Sequence, residues 1–406
     1  MSRRDEGLTS RRRATRVVAA LGGLALTAGA LAPTGPASAA TSDDPPPVPK
    51  EAQEAKDDGR PVGGDALGRG GLVYTGGSGV PAPPAYPAGG YVLADVDTGD
   101  VLVAKSPHAQ ALPASTMKTL TALAVVPRVP AETVFTAQPE DANVDGTQVG
   151  IDPGVRYTTG QCTLALLMSS ANDCAVALAR VNGGLAKTTN EMNTLARSLG
   201  ALDTTARNTS GLDAAAQVTS AYDLALIGRA AVRDPDVAPY LTVKTAKFPG
   251  GRTKQGQKRT VYEITSHNRL LWNYAGTLGV KNGYTVRARH TNIAVVRRGR
   301  KSYVFAFLNG ASNGWRENAK MFDWAFAHGP KVAPVGRLVD PATSQDDEQG
   351  AGGSDSPVAA AGQRAGAVSQ QAAQRLGVDP RLLAGGVAAL VLLGGAAALR
   401  ARARRR

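Results

Sequence analysis

Strand-like segments stand at both ends of one long stretch of this chain with helical patterns between them, and that arrangement restricts the fold more than any single motif. Near the front, GGYVLADVDTGDVLVAK alternates apolar and other residues on either side of an Asp97 to Asp100 turn, which is the pattern of two strands. Near the rear, LGVKNGYT, TNIAVVRR and SYVFAFLNG read as further strands, followed by an amphipathic helix over WRENAKMFDWAFAHG. From Ser115 to about Arg233 the segments CTLALLM, CAVALARV, TTNEMNTLARSLG and SAYDLALIGRAAV carry helical periodicity. Strands from both ends and helices from the middle predict an α/β chain of the α+β kind. One antiparallel sheet is built from both chain ends, with the helical part packed against it.

The flanks of this region are of a different kind. Residues 1–40 hold an arginine-rich start, an apolar run from Val17 to Leu31 and the small residues Ala37 to Ala40, the pattern of a secretory signal peptide. Arg11 to Arg13 also permit a twin-arginine signal, and an uncleaved anchor is the other reading. Residues 41–88 are rich in Pro, Gly, Asp and Ala and are expected to form a disordered spacer, and 331–381 a second flexible linker. That leaves 89–330 as the folded catalytic-size domain. Leu382 to Leu399 is apolar or glycine throughout; as a helix it spans about 27 Å, enough to cross a membrane of about 30 Å. The five arginines of the 400–406 tail would then stay cytoplasmic, with the body of the protein on the outer face of the cell membrane. A buried core helix is the alternative, and it accounts poorly for those arginines.

The formal charge of +13 resides mostly in these flanks: residues 1–40 contribute +4 and the tail +5, leaving +4 for everything between. So mild a balance gives no reason to expect nucleic-acid binding. The four histidines are scattered and the two cysteines form no ligand spacing, so neither a metal nor a cofactor is expected. Cys162 and Cys174 stand at the beginnings of two successive helical segments, which a helical hairpin usually holds far apart; whether they pair is left open.

Three short motifs carry the chemistry. In PASTMKTLTALAVV, Ser115 and Lys118 are three residues apart on one helix face, so the amine can reach the hydroxyl. Serine needs such a base, and lysine becomes one when burial or nearby positive charge lowers its pKa. The bland alternative is a solvated helix face, but the small and apolar residues around Lys118 argue for burial. In SSANDC, Ser170 and Asn172 lie on a tight loop between helices. There they either cap the following helix or present a proton-relaying hydroxyl and an amide for a substrate carbonyl. In VKNGYT, Gly283 marks a close backbone approach and Lys281 offers positive charge, unless the lysine only protects a sheet edge.

The set SxxK, SxN, KxG in this order resembles the penicillin-recognising serine acyltransferases. More narrowly, the chain is similar to the low-molecular-mass D-alanyl-D-alanine carboxypeptidases from about Tyr91 to His328, including VDGTQVGIDPG, NTSGLD and SHNRLLWNYAG. The resemblance implies the serine β-lactamase and DD-peptidase fold. It also implies a membrane-anchored enzyme that releases the terminal D-alanine of peptidoglycan stem peptides and takes β-lactam antibiotics as covalent inhibitors. Ser115 would be the nucleophile, Lys118 its proton acceptor and Ser170 a proton relay. Asn172 would orient substrate, Lys281 would stabilise charge, and the backbone N–H groups of Ser115 and Tyr284 would form the oxyanion hole. Asn282, Gly283 and Tyr284 would line the substrate strand. Arg316 would take the terminal carboxylate, the competing reading being an ion pair with Glu317.

Two departures from the family pattern stand out. Asn282 replaces the usual threonine of KTG, and Arg289 replaces the glycine of an Ala-Gly pair. They raise two alternatives: a catalytically weak penicillin- or peptidoglycan-binding protein, or a β-lactamase. The latter would need a deacylating glutamate, and Glu191 lies in a helical pattern without the ExxLN context.

Overall fold

The computed structural model of the chain describes residues 61–251 and 260–341. Three strands open it: β1 (Leu72–Val73), β2 (Ala88–Asp95) and β3 (Asp100–Lys105). A 3-10 turn over Ala114–Thr116 leads into α1 (Met117–Val125). The middle holds β4 (Val134–Thr136), α2 (Pro139–Ala142), β5 (Arg156–Thr158), α3 (Thr159–Met168) and α4 (Asn172–Val181). After these come α5 (Leu185–Ser198), α6 (Ala221–Arg233) and α7 (Ala238–Leu241). A ribbon of β6 (Thr245–Pro249) and β7 (Val261–Thr265) and the short α8 (Arg269–Asn273) return to the sheet. β8 (Thr277–Thr285), β9 (Arg289–Arg298), β10 (Lys301–Gly310), α9 (Trp315–His328) and β11 (Gly336–Arg337) complete it.

The sheet runs β1-β3-β2-β10-β9-β8, with β11 also on β3, and every pairing is antiparallel. Its two halves meet where β2 pairs β10, Leu93 opposite Phe305, so the expected sheet from both chain ends is what forms. The near-continuous apolar run of β10 reflects burial on both faces. Successive side chains alternate between two cores. Val304, Ala306 and Leu308 join Val92, Ala94, Ile293 and Val295 on the side of the helical part. Tyr303, Phe305 and Phe307 join Tyr91, Leu93 and Val296 under Met321, Phe322 and Ala325 of α9. The sheet is therefore a middle layer, and β8 at its edge is the strand nearest α1.

The expected limits of the folded body are corrected at both ends. Residues 61–88 do not form a free spacer: Val62, Leu67, Val73 and Tyr86 are buried, and β1 pairs with one end of β3. Likewise Val332, Val335 and Leu338 are buried and β11 pairs with the other end of β3. A few scattered apolar residues join the two cores, Val62, Leu67, Val73, Val335 and Leu338 on one side of the sheet and Tyr86 and Val332 on the other, and composition averaged over the segments hides them. The signal peptide at 1–40, the rest of the first spacer, the linker beyond 341, the membrane helix at 382–399 and the basic tail lie outside the described residues. Among the described residues no helix is long and apolar enough to cross a membrane.

Two backbone positions carry measurable consequences. Gly228 lets α6 lie directly on the sheet: a β-carbon there would sit 2.4 Å from Ile293 Cγ2. Gly228→Ala is expected to destabilise by about 1–3 kcal/mol in denaturant unfolding, although alanine is the better helix former. Unchanged or increased stability would mean that the helix does not rest on Ile293. Arg289 opens β9 at φ 55°, in the left-handed region that glycine adopts without strain. Replacing it with glycine should leave stability unchanged or raise it by up to about 1 kcal/mol, whereas Arg289→Val should lower it by about 1 kcal/mol. Thermal melts of the two variants that ranked valine above glycine would remove this account.

Candidate active site

The turn before α1 leaves Ser115 partly exposed and takes Lys118 fully inside. Ala114 takes φ 47°, an uncommon conformation for a residue with a side chain, and it redirects the chain so that Ser115 stays partly exposed. All nine residues of α1 are buried, and Lys118 is 0% exposed. Its Nζ lies 3.0 Å from Ser115 Oγ and 2.5 Å from the carbonyl of Ser210, to which it donates. Burial, chiefly, and then the positive charge of Lys281 hold the Lys118 amine well below the ordinary lysine range, against an opposing pull from Asp173. The solvated-face alternative for SxxK is thereby excluded.

Lys281 arrives from β8 and is also buried; burial lowers its pKa to about 7. A protective edge lysine would be exposed, so that alternative fails as well. Its Nζ donates to the carbonyl of Asn282 at 2.7 Å rather than to either serine. Gly283 marks a close approach, as expected, although the backbone it meets is the chain's own. A β-carbon at 283 would lie 2.6 Å from Ser115 N and 3.0 Å from Ala114 Cβ. From the other side, one at Gly211 would lie 1.8 Å from the carbonyl oxygen of Ala114. The turn that carries Ser115 is thus packed closely against two glycines.

Ser170 has φ 62° and sits at the apex of the loop between α3 and α4. Neither Ser170 nor Asn172 caps α4, whose N-cap is Ala171 and receives no side-chain bond. Asn172 instead donates from Nδ2 to the carbonyl of Asp145 at 2.6 Å, while its Oδ1 is buried and makes no hydrogen bond. The segment that Asn172 holds is pinned again by its neighbour. Asp173 accepts N–H bonds from Val149, Gly150 and Ile151 at 3.2, 2.7 and 3.0 Å.

Arg316 lines a cavity of about 490 Å³ together with Asn282, Gly283, Tyr284, His267 and Trp315. Its guanidinium carbon lies 4.6 Å from the centre of the Trp315 ring. The cavity therefore brings Asn282, Gly283 and Tyr284 of β8 together with Arg316 of α9, while Ser115, Lys118, Ser170 and Asn172 are not among its lining residues.

Sequence reading missed three contributors. Asp173 stood inside the quoted SSANDC without a role, although an acid in the first turn of a helix is a usable signal. The Ser210 carbonyl is backbone, which side-chain identity cannot announce. Thr285 donates to Asp213 at 2.8 Å and so ties the end of β8 to the loop that carries Ser210. Its only signal was that TSGLD and NGYT both belonged to the matching segments.

Comparison with known proteins agrees with this geometry. Residues 79–312, more than half of the chain, match the family model described as D-alanyl-D-alanine carboxypeptidase. The D-alanyl-D-alanine carboxypeptidase DacB2 of Mycobacterium tuberculosis is 35% identical over 266 residues, which is 64% of this chain and 88% of that protein. DacA of Escherichia coli is 28% identical over 63% of this chain but only 65% of its own length, and DacF of Bacillus subtilis is likewise matched over 63% of its length. Among solved structures, a D-alanyl-D-alanine carboxypeptidase from Mycobacterium tuberculosis covers 65% of this chain and 100% of its own. It has a TM-score of 0.60 and 34% identity. The Streptomyces K15 DD-transpeptidase shares the fold, with a TM-score of 0.57 and 23% identity over 61% of this chain and 100% of its own. The chain belongs to the D-alanyl-D-alanine carboxypeptidase family of serine peptidases.

Proposed function

We propose that the protein removes the terminal D-alanine from peptidoglycan stem peptides through an acyl-enzyme on Ser115, working on the outer face of the membrane to which its C-terminal helix ties it. The observation that carries this reading is the wholly buried Lys118 amine 3.0 Å from the Ser115 hydroxyl. A neutral amine there takes the hydroxyl proton as Ser115 Oγ attacks the carbonyl between the two D-alanines. The backbone N–H groups of Ser115 and Tyr284 would receive the developing oxyanion, a kind of contact worth roughly a hundredfold or more in rate. Ser170 passes the proton to the departing D-alanine amine, and water then releases the shortened peptide with Lys118 again as base. The unpartnered Oδ1 of Asn172 is an acceptor suited to a substrate N–H, and Arg316 with Asn282 suits the terminal carboxylate. Lys281 keeps positive charge near both.

The same chemistry makes penicillins covalent inhibitors. Turnover of a β-lactam would need a free carboxylate near the acyl group. Glu191 is instead held in α5 by Lys187 at 2.8 Å and by Asn182 at 2.6 Å. That observation disfavours a β-lactamase.

A fluorescent penicillin should label the purified protein, and the protein should release D-alanine from a diacetyl-Lys-D-Ala-D-Ala peptide. Ser115→Ala should abolish labelling and cut release by a thousandfold or more. Labelling without D-alanine release would identify a binding protein, and no labelling would overturn the site.

The pH dependence of acylation follows from the two lysines. Ser115 attack needs Lys118 neutral, so the rate should rise with pH through the depressed Lys118 pKa and level off well before the ordinary lysine range. The charge on Lys281 helps to depress that pKa; Lys281→Met removes it, and the acid limb should move to higher pH. Stopped-flow penicillin acylation across pH 5 to 10 reads this directly, and a shift of the limb to lower pH would contradict the assigned base.

A further inference from the structure

The chain has two cysteines in all, and they meet. Cys162 lies in the first turns of α3 and Cys174 in those of α4, a placement expected to hold them apart. The structure instead packs α4 against α3, with the two sulfur atoms 2.8 Å from each other. Small residues make the approach possible. Ala165, Ala171 and Ala175 are all fully buried, and the carbonyl of Ala165 accepts the N–H groups of both Ser169 and Ala171. Both thiols are free in this structure and both are 0% exposed. Burial, chiefly, pushes the Cys174 thiol well up, so it has no use as a nucleophile or metal ligand where it stands.

We propose that Cys162 and Cys174 are joined by a disulfide in the exported protein, as a covalent clasp behind the loop that presents Ser170 and Asn172. The proposal rests on the outer-face location given above, since only an oxidising compartment keeps such a bond. Formation removes two protons and two electrons from the thiols. An oxidant of the disulfide class, such as a thiol-disulfide oxidoreductase, accepts them as its own S–S bond opens to two thiols. The thiolate of one cysteine attacks the oxidant to give a mixed disulfide, and the second cysteine displaces the reduced oxidant. Because neither sulfur reaches solvent once the helices have packed, oxidation accompanies folding rather than following it. The bond closes the short segment between residues 162 and 174, and with it the helical turns on which the catalytic loop is mounted.

The test compares full-chain protein recovered from the outer face of cells with the same protein unfolded and refolded in oxidised or reduced glutathione. Each sample is unfolded in an alkylating agent and mapped without reductant. Recovered protein should show one linked peptide pair and no alkylated cysteine. Refolding in oxidised glutathione should regenerate the pair, and the reduced form should melt roughly 5–10 °C lower. Amide hydrogen exchange over 169–172 should be faster in the reduced form. Two alkylated cysteines in protein from the outer face would overturn the proposal, as would refolding that yields only glutathione adducts. Protein found solely in the cytoplasm with both thiols free would overturn the outer-face reading and the bond in the cell with it.

Discussion

The amine of Lys118 has been taken wholly out of water, and much of the surrounding structure serves that fact. A charged ammonium in such a place is costly, so the neutral form is favoured without any special partner. Complete burial requires α1 to be covered on every side, by α3, α4, α5 and α6 within the helical part and by β8 at the sheet edge. Ser115 escapes full burial because the turn at Ala114 redirects the chain. The second buried amine, Lys281, sharpens the effect: two like charges in one dry region disfavour each other, and the negative Asp173 offsets part of this for Lys118. Lys118 and Ser115 thus have unequal exposure: the hydroxyl stays partly open to solvent while the amine keeps its depressed pKa.

That burial depends on contacts between distant parts of the chain. β8, which carries Lys281 and Gly283, is held by β9, β9 by β10, and β10 by β2 from the front of the chain. Closing such a sheet brings together residues more than two hundred positions apart, an entropic cost met only when the pairing completes. Lys118 and Ser115 are neighbours by local helix geometry, but Lys281 and the Ser210 carbonyl reach them only through the assembled domain. The reactive pair is local, and its reactivity belongs to the whole fold.

This division explains what could be read from the residues alone. The sheet strands were legible because each has its own alternation, and the SxxK, SxN and KxG positions were legible because side-chain identity and spacing mark them. The segments 61–88 and 331–341 were not, because their few buried residues are scattered without a periodic pattern. Val62 illustrates the point: its carbonyl accepts from buried His108, whose other ring nitrogen faces Asp203, a three-way contact with no local trace. The same holds for the carbonyl of Ser210 and for the two sulfurs, whose meeting depends on how α4 crosses α3. The helix-cap alternative for Asn172 was reasonable by residue type and failed because α4 begins one residue earlier than a cap there requires: Ala171 is the N-cap and Asn172 already lies inside the helix.

The departures from the family pattern take on a different weight in this light. Along β8 successive positions turn to opposite sides of the strand, so Lys281 and Gly283 share a side and Asn282 takes the other. Lys281 is sealed near Lys118, and a β-carbon at Gly283 would strike the backbone of Ser115, so a change at either position would disturb the surroundings of Lys118 or Ser115. Asn282 lines the cavity that also holds Arg316 and Tyr284. A substitution there alters which groups meet the end of a bound peptide and leaves the Ser115 and Lys118 pair untouched. On the proposed function, asparagine in place of threonine is therefore a change in recognition rather than in the chemistry.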